Sequence, residues 1–142
     1  MTTHLPKLVT SFVITLISSA FVMGTASAVD VKLTLTGDQE VPPVGTPAVG
    51  SGTIAINDNG SVSGSIITTG IRATSAHIHE APAGKNGPVV IPLEKKSDRE
   101  FVVPAGAKLS ETQYKAFKEG DLYVNVHSDA HKDGEIRAQL KP

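Results

Sequence analysis

Short segments in which apolar and polar residues alternate, broken every few residues by Gly, Pro, Asn or Asp, run through most of this chain. That pattern leaves little besides β-structure for it to form. Val31-Lys32-Leu33-Thr34-Leu35 alternates cleanly. Residues 51–56 and 61–67 flank Asp58-Asn59-Gly60, a hairpin signal, because Asn-Gly adopts the positive-φ conformations that tight turns demand. Further strands are predicted over 74–79, 88–93, 100–103, 122–126 and 135–140, the last pair joined by a loop over 128–134. One helix interrupts them. Ser110 and Gln113 make a capping box, Leu109 and Tyr114 can staple its first turn, and Gly120 ends it. Tyr114 and Phe117 give this helix one apolar face, so it is expected as a lid across one end of the sheets. Residues 39–47 hold three prolines and read as an ordered connection. The expectation is an all-β domain: an antiparallel β-sandwich or flattened Greek-key barrel of about eight strands with one short helix.

The first residues stand apart. Lys7 precedes an apolar run over 12–23, followed by the small-residue site Ala26-Ser27-Ala28, the layout of a secretory signal peptide. The run is short for a membrane span of about 20 residues. Residues 1–28 are therefore expected as a leader and 29–142 as one domain in a secreted or periplasmic protein; an uncleaved N-terminal anchor is the alternative. Lys7 is the only charge in the leader and the whole chain carries a formal net charge of −1, so nothing draws it to nucleic acid or an anionic membrane. No cysteine is present, so the domain must be held by its core. Both methionines, Met1 and Met23, fall in the leader. With no sulfur ligand left, thiolate and blue-copper sites are excluded.

Four histidines remain after residue 28. In Ala76-His77-Ile78-His79, alternation puts His77 and His79 together on the polar face, about 7 Å apart along a strand. In Val124-Asn125-Val126-His127, Leu122, Val124 and Val126 face the core while Tyr123, Asn125 and His127 face the other way. His127 is the first candidate for a third imidazole and His131, in the next loop, the second. Three nitrogens plus water make an open site of the kind copper(II) or zinc accepts. On affinity alone copper(II) is favoured. Such a site is expected to weaken below pH ~6.5, where an ordinary imidazole takes up a proton. A symmetric last hairpin sets Asn125 opposite Arg137 and His127 beside Glu135, a carboxylate able to orient the ring. Glu40, Glu135 and Arg137 read as supporting groups or as an ion pair locking the last hairpin to the first strand. Histidines on a polar face are also common without any metal.

At these residues the chain resembles the CHRD domain, the module named after chordin. The matching pieces run in order: Leu35-Thr36-Gly37-Asp38-Gln39-Glu40-Val41-Pro42-Pro43, Ala76-His77-Ile78-His79, residues 84–89, Tyr123-Val124-Asn125-Val126-His127 and Gly134-Glu135-Ile136-Arg137-Ala138-Gln139-Leu140. They span about residues 31–140. The resemblance implies an extracellular β-sandwich and says less about activity. In chordin-like animal proteins the domain sits in antagonists of secreted growth factors, a role that does not carry over to one cysteine-free domain. More locally, His77-Ile78-His79-Glu80 looks like the His-x-His strand of copper–zinc superoxide dismutase. The chain lacks that enzyme's disulfide and its zinc loop, so the likeness implies copper binding rather than fast dismutation.

No nucleophile elbow or phosphate loop is present, and the scattered acids make no carboxylate pair. Asn59-Gly60-Ser61 matches a glycosylation sequon but reads first as a turn. Lys95, Lys96, Asp98 and Arg99 read as a solvated charged loop. The leading expectation is a secreted module that binds a metal ion, copper or alternatively zinc, through His77, His79 and His127. The alternatives are a metal-independent module for an extracellular protein partner and, last, a copper oxidoreductase.

Overall fold

A computed structural model describes residues 1–2 and 27–142 of the chain. Most of the predicted leader lies outside the described residues. No helix among the described residues is long and apolar enough to cross a membrane.

Among the described residues, nine strands and one α-helix follow in chain order: β1 (Ala28–Thr36), β2 (Val49–Asn57), β3 (Val62–Thr69), β4 (Ala73–Glu80), β5 (Val89–Pro92), β6 (Glu94–Lys95), β7 (Glu100–Val102), α1 (Glu111–Glu119), β8 (Leu122–Ser128) and β9 (Ile136–Leu140). They form one antiparallel sheet in the order β5-β4-β8-β9-β1-β2-β3-β7-β6. The sheet nearly closes on itself, because Leu93 N–H donates to the Ala76 carbonyl and Lys95 Nζ to that of Ala73. The expected flattened barrel is therefore what forms, with one strand more than the sequence announces. That strand is β6, which runs through the charged loop at Lys95. Two residues are too few to show a period, and the pairing Lys95↔Phe101 makes the strand. Surface ion pairs Lys96–Glu94 and Lys95–Asp98 decorate it.

Alternation decides what goes inside. Val31, Leu33 and Leu35 of β1, Ile54 and Ile56 of β2, Ile78 of β4, Val124 and Val126 of β8 and Ile136 and Leu140 of β9 meet in one apolar cluster. Each such side chain contributes roughly 1.5–3 kcal/mol on burial. With no disulfide available, this cluster carries the fold. The helix forms where its cap predicts. Ser110 Oγ accepts from Gln113 N–H, the Gln113 side chain accepts from Ser110 N–H, and Gly120 terminates it in the left-handed region. Its Ala116 and Phe117 join the core.

The two outer faces of the sheet differ. On β1, β2 and β3 the outward residues Lys32, Thr34, Ser51, Thr53 and Ile67 are exposed. On β8 every residue is buried, outward ones included. Two long connections fold over this part of the sheet. One is the segment 37–47, which starts with a single 3-10 turn, Gly37–Gln39. The other is the segment 81–88. They are tied together by Asn86 Nδ2 donating to the Val41 carbonyl, and to the last hairpin by Thr46 Oγ1 donating to Glu135 and Gln139 Nε2 donating to the Ala81 carbonyl. A polar layer is thereby sealed between sheet and loops, opposite the apolar core.

Candidate metal centre

Strand pairing assembles the histidines. In the β4–β8 ladder, Ser75 opposes His127, His77 opposes Asn125 and His79 opposes Tyr123. His77 and His79 project from the same side of β4, and His127 reaches them from β8. One ligating nitrogen from each of the three lies within 4.8 Å of the other two. His77 Nδ1 is 2.9 Å from His127 Nε2. His77 is half-buried, while His79 and His127 are 8% and 9% exposed.

Two of the rings are held by the backbone. His79 Nδ1 lies 2.9 Å from the Gly87 carbonyl, and His127 Nδ1 lies 2.8 Å from that of Lys132. A carbonyl only accepts, so each Nδ1 carries the proton and each Nε2 keeps its lone pair. His127 Nε2 accepts from His77 Nδ1–H. His79 Nε2 is buried without a well-formed hydrogen bond, beside the Asn125 side chain. A buried acceptor left unpaired costs about 1–3 kcal/mol, which is the condition a bound cation relieves.

Burial also favours the neutral form of His77 and His79. Desolvation first, then the neighbouring His127 and His79, pushes His77 from its ordinary 6.5 down to about 4. Desolvation lowers His79 as well, partly offset by its bond to Gly87. Neutral imidazole is the ligating form.

Around the rings the structure departs from the sequence expectation in several ways. The outward face of β8 is buried throughout and that of β4 in part, which alternation does not foretell, since it fixes a face but not what covers it. Glu135 does not orient His127. The hairpin keeps the expected pairing Asn125↔Arg137, but the Glu135 carboxylate turns to Thr46 and a loop carbonyl takes its place at His127. His131 stands outside the group of three nitrogens, its backbone closing the turn with Ser128. Among the described residues the ion pairs lie elsewhere on the surface, so Glu40, Glu135 and Arg137 form no locking pair. Arg137, 1% exposed, donates instead to the carbonyls of Pro82 and Lys85 and to the side chains of Asn86 and Gln139.

Asn125 and Glu40 sit deeper in the polar layer. Glu40 Oε1 and Asn125 Oδ1 are, with His79 Nε2, buried side-chain acceptors without a partner. Desolvation raises Glu40 from 4.5 to about 7, against the pull of Arg137 and Asn125. Gly134 closes over the pair: a Cβ there would sit 2.5 Å from both Asn125 Nδ2 and Glu40 Oε1, and its φ of +126° also suits only glycine.

The sequence placed Tyr123 on the outward face but gave it no role. Its ring stacks on His79, with centroids 4.8 Å apart and planes 5° from parallel, while the Arg137 guanidinium lies 3.4 Å from its other face. The signal was present, since Tyr123 shares the outward face with Asn125 and His127.

A scan against protein-family models matches the CHRD domain over residues 31–140, from the first core residue of β1 to the end of β9. The chain belongs to the CHRD family. Searches of curated proteins and of solved structures return no match. The CHRD match takes in all three histidines and both loops that seal them, so the cluster is built from the family's own domain. CHRD membership points to an extracellular module and does not by itself specify a ligand.

Proposed function

We propose that this CHRD domain is an extracellular metal-binding module whose ion is held by His77, His79 and His127, with copper(II) preferred to zinc. The observation that carries the reading is the convergence of three nitrogens, two of them fixed by Nδ1-to-carbonyl bonds. An ion would replace the hydrogen bond between His77 Nδ1 and His127 Nε2, with the His77 proton moving to its own Nε2. The ion would also satisfy the unpartnered His79 Nε2. A set of imidazole nitrogens favours copper(II) over zinc on affinity. Three neutral ligands leave a coordination position open to water or a small donor. Capture, storage or delivery of the ion outside the cytoplasm is the role that follows. The test is the electron paramagnetic resonance spectrum of the protein with one equivalent of copper(II). Coupling to imidazole nitrogens that His127→Ala diminishes supports the reading. A spectrum of aqueous copper, or one indifferent to the substitution, refutes it.

A further inference from the structure

The polar layer contains a buried arginine that donates its hydrogen bonds to groups other than the histidines and yet is connected to one of them by two routes. Through the first, the guanidinium packs 3.4 Å from the face of Tyr123, and Tyr123 stacks in parallel on His79. Cation–π and ring-stacking contacts of this kind fix the plane of the middle ring and so of the ring beyond it. Through the second, the guanidinium donates to Pro82 O, Lys85 O and Asn86 Oδ1 and so pins the segment 81–88. That segment contains Gly87, whose carbonyl holds His79 Nδ1 and whose N–H donates to Tyr123 Oη. Both routes close on the same imidazole. Gly87 lies so near β4 that a Cβ would meet the Glu80 carbonyl, so this stretch of loop has one seat.

We infer that Arg137 is a positioning residue for the histidine cluster: it holds His79 with Nδ1 tied to the loop and Nε2 presented to an ion. The consequence for metal rests on the function proposed above; the effect on the ring does not. A lysine cannot substitute. Its point charge lacks the planar fork that reaches several carbonyls while lying flat on a ring.

The experiment reads the ring nitrogen shifts of His79 in metal-free, 15N-labelled protein, which distinguish the Nδ1–H from the Nε2–H tautomer. In the wild type a single Nδ1–H tautomer is expected. Arg137→Lys is expected to keep a cooperative melt, to give His79 a mixture of tautomers and to weaken copper(II) binding about 10–100-fold, as loss of an orienting group does. Asn86→Ala removes one acceptor of the guanidinium from an exposed loop and is expected to move His79 the same way by less; it decides the matter if the lysine variant fails to fold. A His79 that stays wholly Nδ1–H in the folded variants overturns the inference. Copper affinity is measured separately on the wild type. Failure to bind copper there counts against the metal reading alone, while the tautomer comparison still decides the role of Arg137.

Discussion

His77 shows how a single environment sets chemistry. Its half-buried ring faces two other imidazoles, and its pKa falls from 6.5 to about 4. The folded protein thus refuses a proton that the unfolded chain accepts between those values, so this group's contribution to stability is complete above pH 6.5 and is lost as pH falls through 4. Its ring signals in an NMR titration are expected to move with a midpoint near 4, far below the pH ~6.5 of an exposed imidazole; a midpoint near 6.5 contradicts the buried cluster. The weakening of metal binding expected from sequence at pH ~6.5 is deferred accordingly at this ligand. Glu40 runs the other way. Raised from 4.5 to about 7, it prefers to be neutral in the fold, so stability is lost as pH rises through that window. Glu40→Gln is expected to gain stability over the wild type at pH 8 and to lose that advantage by pH 5, read from urea unfolding at each pH. An equal difference at both pH values would be the wrong result. Neither behaviour was legible in the sequence. Alternation placed His77, Asn125 and His127 on the non-core faces but gave no sign of how far each is buried.

Elements differ in how they were read. Helix α1 was fully legible because its signals are local: the cap, the staple and the terminating glycine all lie within a few residues. Ser110→Ala removes the bond to Gln113 N–H and is expected to cost about 1 kcal/mol in chemical denaturation; no loss would mean that packing of Phe117 alone holds the helix. The hairpin β2–β3 was equally plain, since Asn57 and Gly60 close it by backbone bonds. The segment 81–88 was not. Its conformation is dictated by Arg137 and Tyr123, which lie more than thirty positions away. Likewise the carbonyl that orients His127 comes from the shape of the loop at Lys132 rather than from any side-chain pattern. Gly87→Ala tests the importance of that seating. The added methyl must displace the loop from the Glu80 carbonyl and is expected to weaken copper(II) binding by roughly tenfold or more while the core stays folded. Unaltered affinity, measured by competition with a chelator, would detach the loop from the site.

Taken whole, the molecule is a nearly closed barrel with two interiors. One is apolar and holds the fold together. The other is polar, lies between the sheet and two strapped loops, and contains the three histidines. Fold class and the residues of the cluster could be read from periodicity and from the likeness to the CHRD domain. Convergence could not, because it depends on the register of β4 against β8, which no local pattern fixes. The most direct measurement offers copper(II) and zinc(II) together to the purified protein, removes loosely held ions by desalting, and counts what remains by mass spectrometry, with the His77→Ala, His79→Ala, His127→Ala triple variant alongside. One copper per chain in the wild type and none in the variant is the predicted result. Equal retention by both proteins, or no retention by either, contradicts the metal centre and leaves the barrel's surface as the place to look for a partner.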